Sequence, residues 1–204
     1  MSFTIGFDLD MTLIDPRPGM VAAMNRLGTE AGLALDGEYF AANLGPPLDQ
    51  ALRAFGAPED RIPWLVTRFR TTYPEIVIPL TVPMPGATEA LDAVRTHGGR
   101  ALVVTAKHTP NAAKHLAALG WQADLAGDLW STGKAAALRE HGASAYVGDH
   151  ATDVAGALAA GAIPVGVTTG PCDARTLIDA GATVVLDTLA DFPHWLRAHL
   201  AARS

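Results

Sequence analysis

Asp8, Asp10 and Thr12 alternate at the end of a short apolar run, Phe3, Ile5 and Phe7. The run reads as a buried strand, and its C-terminal end is where open α/β sheets place their sites. Two carboxylates crowded there repel: at about 4 Å and an effective dielectric near 20, a like-charge pair costs about 4 kcal/mol. A hard divalent cation with oxygen ligands, most simply magnesium, removes that cost. The triplet alone also fits a turn with solvated carboxylates, so the rest of the chain has to decide.

Three further clusters fall at expected strand or helix ends. Thr105, Ala106 and Lys107 follow the strand Ala101–Thr105 and offer a hydroxyl and free backbone amides. Lys134 opens a helix behind Gly133, and lysine is scarce, with Lys107, Lys114 and Lys134 set against twelve arginines. Gly148-Asp149-His150-Ala151-Thr152-Asp153 follows the strand beginning at Ala145. With Asp149 as helix cap, Asp149 and Asp153 can face one crevice. Four carboxylates, a lysine, a hydroxyl and amides suit one divalent cation and one phosphate group. Each cluster alone has a structural explanation; their joint occurrence at strand ends points to a site.

The elements that must position these groups alternate from Met84 onward. Helices are expected at Gly86–Thr96, Pro110–Leu119, Gly133–His141, Ala151–Ala160, Ala174–Ala180 and Phe192–Ala202. Strands are expected at Ala101–Thr105, near Leu125, from Ala145, at Ile163–Val167 and at Thr183–Leu186. Short apolar strands alternating with helices predict an α/β fold, a Rossmann-like doubly wound parallel sheet covered on both faces. Residues 16–83 break the rhythm with helical patterns at Pro18–Ala31, Tyr39–Asn43, Leu48–Phe55 and Arg61–Tyr73 and no convincing strand. They read as a small helical module inserted into a core made of residues 1–15 and 84–204, with hinges near Asp15–Pro16 and Leu80–Met84. Arg17, Asn43 and Arg53 are its candidate substrate-selecting residues.

Composition bounds the rest. The 204 residues are 49% hydrophobic and 18% charged, enough for a substantial core. A net charge of −6 argues against a nucleic-acid footprint. No apolar run approaches the ~20 residues that span a bilayer. The N-terminus carries no signal-peptide pattern, and the lone Cys172 fits a reducing cytoplasm. The seven histidines are dispersed and expected mostly at the surface, with His150 in a loop whose role stays open, as does that of Lys107. Oligomeric state is not legible.

These motifs, in this order, resemble the haloacid dehalogenase-like hydrolase superfamily over nearly the whole chain. Asp8 to Thr12 matches the first motif, Thr105 the second, Lys134 the third, and Gly148-Asp149 with Asp153 the fourth. The helical insert, Pro85-Gly86, Thr105-Ala106-Lys107 and Val165–Gly170 resemble the phosphoglycolate phosphatase-like branch. Met11 stands where that family has glycine, and Ala135 follows Lys134 where that branch has proline. The resemblance implies a magnesium-dependent phosphatase acting on a small phosphorylated metabolite. Asp8 would be nucleophile and Asp10 general acid–base; Asp8, the Asp10 carbonyl and Asp149 would hold the metal. Thr105, the Ala106 amide and Lys134 would bind phosphate, with Thr12 and Asp153 in support. Asp10 favours a phosphatase over a dehalogenase, because an alkoxide leaving group needs a proton and a halide does not. A sugar-phosphate mutase, which also needs Asp10, and a non-catalytic phospho-ligand binding module are the alternatives.

Overall fold

The computed structural model describes residues 3–130 and 132–202. Its elements in chain order are β1 (Thr4–Phe7), β2 (Ile14–Asp15), α1 (Arg17–Ala31), α2 (Gly37–Ala42), α3 (Leu48–Ala54), α4 (Ile62–Ile76) and β3 (Val82–Pro83). There follow α5 (Ala87–Thr96), β4 (Arg100–Val104), α6 (Thr109–Ala118), β5 (Asp124–Ala126), α7 (Thr132–Glu140) and β6 (Ala143–Gly148). The chain then forms α8 (Ala151–Ala160), β7 (Ile163–Val167), α9 (Ala174–Asp179), β8 (Val184–Leu186) and α10 (Phe192–Ala201).

Six strands form a parallel sheet in the order β5-β4-β1-β6-β7-β8. Their side chains alternate between faces with the period of two that a pleated strand imposes. Ile5, Phe7, Val103, Ala145 and Val147 join one apolar cluster with α5 and α10, whereas Leu102, Val104 and Tyr146 join another with α7 and α8. Phe7 meets Phe192 edge-on, centroids 5.2 Å apart; such pairs add about 0.5–1.5 kcal/mol beyond burial. The expected doubly wound α/β architecture is therefore the one formed. The chain leaves β1 toward β4 and β5, then crosses back to β6, so the C-terminal ends of β1 and β6 border a topological switch point.

Helices α1 to α4 surround their own apolar cluster, which includes Met24, Leu52, Leu65 and Phe69. Where the sequence shows no convincing strand, β2 and β3 form a short antiparallel pair, Asp15 opposite Val82. A two-residue pair cannot display a detectable alternation, which is why the sequence carries no strand pattern there. The pair brings residues 14–15 and 82–83 side by side.

Candidate functional site

Asp8 follows β1 directly, and its amide donates to the Val147 carbonyl of β6 at 2.8 Å. Asp149 follows β6, and its Oδ1 accepts from the Thr12 hydroxyl at 2.8 Å. Lys134, on the first turns of α7, donates to Asp8 Oδ1 at 2.8 Å and to Asp153 Oδ1 at 2.6 Å. Asp8, Asp149 and Asp153 are buried, with oxygens within 4.8 Å of one another. Two glycines make this crowding possible by close approach. A Cβ on Gly170 would lie 1.8 Å from Asp149 Oδ2, and one on Gly148 would lie 2.4 Å from Asp153 Cβ.

One ammonium among three buried carboxylates leaves two negative charges uncompensated. Burial lifts the Asp8 carboxyl to about 7 despite Lys134, with repulsion from Asp153 adding to the shift. Burial, then Asp8 and Asp153, likewise hold Asp149 well above the usual carboxylate range. Burial by itself would lower Lys134, but Asp153 and Asp8 more than offset it and keep the amine charged. The donor set is all oxygen and short of positive charge, which fits a hard divalent cation.

Asp153 does not present a free carboxylate. Besides Lys134 it accepts from the Tyr146 hydroxyl at 3.3 Å and from the His150 amide at 3.2 Å. The cap of α8 is His150, in a reciprocal capping box with Asp153, rather than Asp149. Asp149 is thereby left outside the helix and pointed into the site; His150 is a capping residue.

The Asp10 carboxylate meets a second lysine. Its Oδ1 lies 3.0 Å from Lys107 Nζ, close but poorly aligned for a hydrogen bond. Lys107 is buried and also donates to the Tyr73 hydroxyl of α4, which contacts His115 Nε2 of α6 at 2.8 Å. Burial would lower Lys107, yet Asp10 and Tyr73 raise it. Burial and then Lys107 push His115 down to about 3, so it is a neutral core residue and not a surface histidine. Thr105, at the end of β4, accepts the Lys107 amide on its hydroxyl oxygen at 3.1 Å, leaving its own proton to donate.

Asp8, Asp10, Thr105, Ala106, Lys134, Asp149 and Asp153 line one recess of about 30 Å³. It adjoins a larger cavity of about 280 Å³ between the insert and the loops at the strand ends, the two sharing Asp10, Leu44, Gly45, Ala106 and Trp130. None of the three insert residues singled out from sequence lines either space. Arg17 is drawn to Asp15, Nη2 to Oδ2 2.6 Å. The Asn43 amide caps the end of α2 by donating to the Tyr39 carbonyl at 2.8 Å. Arg53 pairs with Asp49 and Glu59. The insert instead presents Tyr73 and Arg70, with Arg70 3.5 Å from Asp128.

Residues 5–126 match the haloacid dehalogenase-like hydrolase family and residues 130–192 a second, HAD-hydrolase-like family. A phosphoglycolate phosphatase of Caulobacter vibrioides is 30% identical over 93% of this chain and 89% of its own. A haloacid dehalogenase-like hydrolase structure from Bacteroides fragilis superposes with TM-score 0.81 at 19% identity, covering 94% of this chain and 99% of that one. A β-phosphoglucomutase-like structure from Bacteroides vulgatus superposes with TM-score 0.73 at 21% identity, covering 98% and 89%. The chain belongs to the haloacid dehalogenase-like hydrolases.

Proposed function

We propose that this chain is a magnesium-dependent phosphatase of small phosphomonoesters working through an aspartyl-phosphate on Asp8. The observation that carries the reading is the charge imbalance at the switch point: buried Asp8, Asp149 and Asp153 around the single ammonium of Lys134. Lys134 occupies Asp8 Oδ1, which leaves Oδ2 for attack. As the Asp8–phosphorus bond forms, the bond from phosphorus to the ester oxygen breaks, and Asp10 gives that oxygen its proton. Asp10 then takes a proton from the water that attacks the phosphoenzyme, restoring both carboxyl groups. The Asp8 and Asp149 carboxylates and the Asp10 carbonyl would hold magnesium, which supplies charge neutralisation at the phosphoryl oxygens. Lys134, the Thr105 hydroxyl and the Ala106 amide bind those oxygens. Asp153 holds Lys134 in place, and Thr12 holds Asp149.

Residues 16–83 act as a cap over this recess, supported by their separate apolar cluster and paired crossings. Phosphoglycolate is the first substrate to test, on the strength of the Caulobacter relative. A cytoplasmic location is in keeping with the single cysteine. No helix among the described residues is long and apolar enough to cross a membrane.

The test is release of phosphate from a phosphomonoester panel by protein stripped with EDTA and then reloaded with magnesium. Activity should vanish and return, and Asp8→Asn should abolish it. Full activity after exhaustive chelation, or turnover by Asp8→Asn, would sink the reading. A requirement for a bisphosphate activator would turn it into the mutase reading, and tight binding of phosphorylated ligands without turnover into the binding module.

A further inference from the structure

The cavity beside the recess bears on the leaving group. It opens from Asp10, the residue that must meet the ester oxygen, and runs beneath the insert. At about 280 Å³ it has room for roughly nine water-sized groups of about 30 Å³ each. A two-carbon acid on the phosphate would leave at least about half of that space unfilled. The insert's side of the cavity is largely apolar, with Met20, Phe40, Leu48, Val66 and Phe69, and Trp130 adds a ring from the core side.

The polar groups of the lining already have protein partners: Arg70 and His108 meet Asp128 at 3.5 and 3.4 Å, and the Asn111 side-chain amide donates to the Arg70 carbonyl at 3.4 Å. Asp49 is paired with Arg53, and Asp128 accepts from the Thr109 amide and hydroxyl at 2.9 and 2.7 Å. Lys107 is shared between Asp10 and Tyr73. What stays unpartnered is apolar surface, which gains from covering by an apolar group and gains little from a charged one.

We propose that the natural leaving group carries an apolar, ring-sized body, seated between Trp130 and the Val66–Phe69 turn of α4, so that the substrate is larger than phosphoglycolate. This rests on the phosphatase reading and adds the substrate class to it. Trp130 lines both spaces, so a ring packed on it extends directly from the ester oxygen at Asp10.

Three primary alkyl esters with similar leaving-group chemistry separate the alternatives: phosphoglycolate, ethyl phosphate and 2-phenylethyl phosphate. With magnesium-loaded full-length enzyme, kcat/KM for the phenylethyl ester should exceed that of both others by about 10-fold or more, the effect of burying one ring. Val66→Phe, which fills the cavity from α4, should remove or invert that preference. An enzyme that prefers phosphoglycolate or ethyl phosphate overturns the inference and leaves the phosphatase reading standing. A preference for the phenylethyl ester that Val66→Phe does not change places the ring elsewhere and overturns it too. Absence of turnover on all three and on a generic aryl phosphate overturns the phosphatase reading, and this inference with it.

Discussion

Lys107 Nζ sits 3.0 Å from Asp10 Oδ1 in a position where the lysine side chain is only 4% exposed. The same ammonium is held from the insert by Tyr73, so a residue of α4 bears on the carboxylate expected to move the proton. Asp10 is therefore approached through Lys107 from the side of the insert as well as held by its place after β1. Lys107→Met should lower kcat for alkyl esters by about 10- to 100-fold, the usual loss when a residue supporting a reactive group is removed. Aryl esters, whose leaving groups need little protonation, should lose far less. Equal losses on both, in a variant shown to be folded, would mean that Lys107 supports the fold and not the proton transfer.

Magnesium and pH should act on stability together. Asp8 has a folded-state carboxyl near 7 against an ordinary value of 3.8, so the folded protein holds that proton more tightly than the unfolded chain. A raised carboxyl makes the metal-free protein lose stability as pH climbs from about 4 to about 7, with little further change above. Asp149 is shifted in the same direction. Metal needs the ionised forms, so its stabilising effect should grow over the same window. Thermal unfolding at pH 5.5 and pH 8, with EDTA and with magnesium, should show the larger magnesium-induced rise in Tm at pH 8. A rise as large at pH 5.5 would contradict the assignment of these carboxylates to the metal.

The convergence of Asp8, Thr105 and Asp149 on one end of the sheet was legible in the sequence because each of them directly follows a strand. The strand fixes Asp8, Thr105 and Asp149 in space almost as soon as it is recognised, and the parallel sheet brings the ends together. Lys134 followed from its place at the start of a helix. The cap residues were not legible in this way. Arg17, Asn43 and Arg53 each found a partner within six residues, as local pairs readily do. Tyr73, Arg70 and His115 owe their positions to the docking of α4 on α6, a contact between residues about 40 apart with no local pattern to announce it. Lys107 carried one usable signal, the scarcity of lysine, but its partner could not be read from it.

Met11 has φ of 62°, in the left-handed region that glycine adopts without cost. Its side chain is nevertheless buried in the main apolar cluster, and its carbonyl accepts from the Thr169 hydroxyl at 2.6 Å. Two effects oppose each other in Met11→Gly. Relief of left-handed strain contributes about 1–2 kcal/mol, whereas emptying a buried methionine site costs about 2–5 kcal/mol. Packing should win, with net destabilisation of up to about 4 kcal/mol, read as a lower urea midpoint at unchanged m. A higher midpoint would show that strain dominates at this turn.

The paired crossings make the role of the insert directly testable. Asp15 and Val82 face each other across the β2–β3 pair, so residues 16–81 can be replaced by an Asn-Gly turn without stretching the backbone. The sheet and its two apolar clusters do not depend on Met24, Leu52, Leu65 or Phe69, which pack among themselves. The shortened protein loses Tyr73, leaving Lys107 with Asp10 alone and His115 without its hydroxyl partner. Magnesium should still raise its Tm, because Asp8, Asp149 and Thr12 are untouched. Turnover of a small generic phosphate should fall modestly, through entry of water and looser placement of Asp10. Discrimination among alkyl esters should collapse, since remote binding energy is what a cap contributes. A folded, capless protein that keeps the parent's substrate ranking would show that selectivity resides in the strand ends rather than in α4.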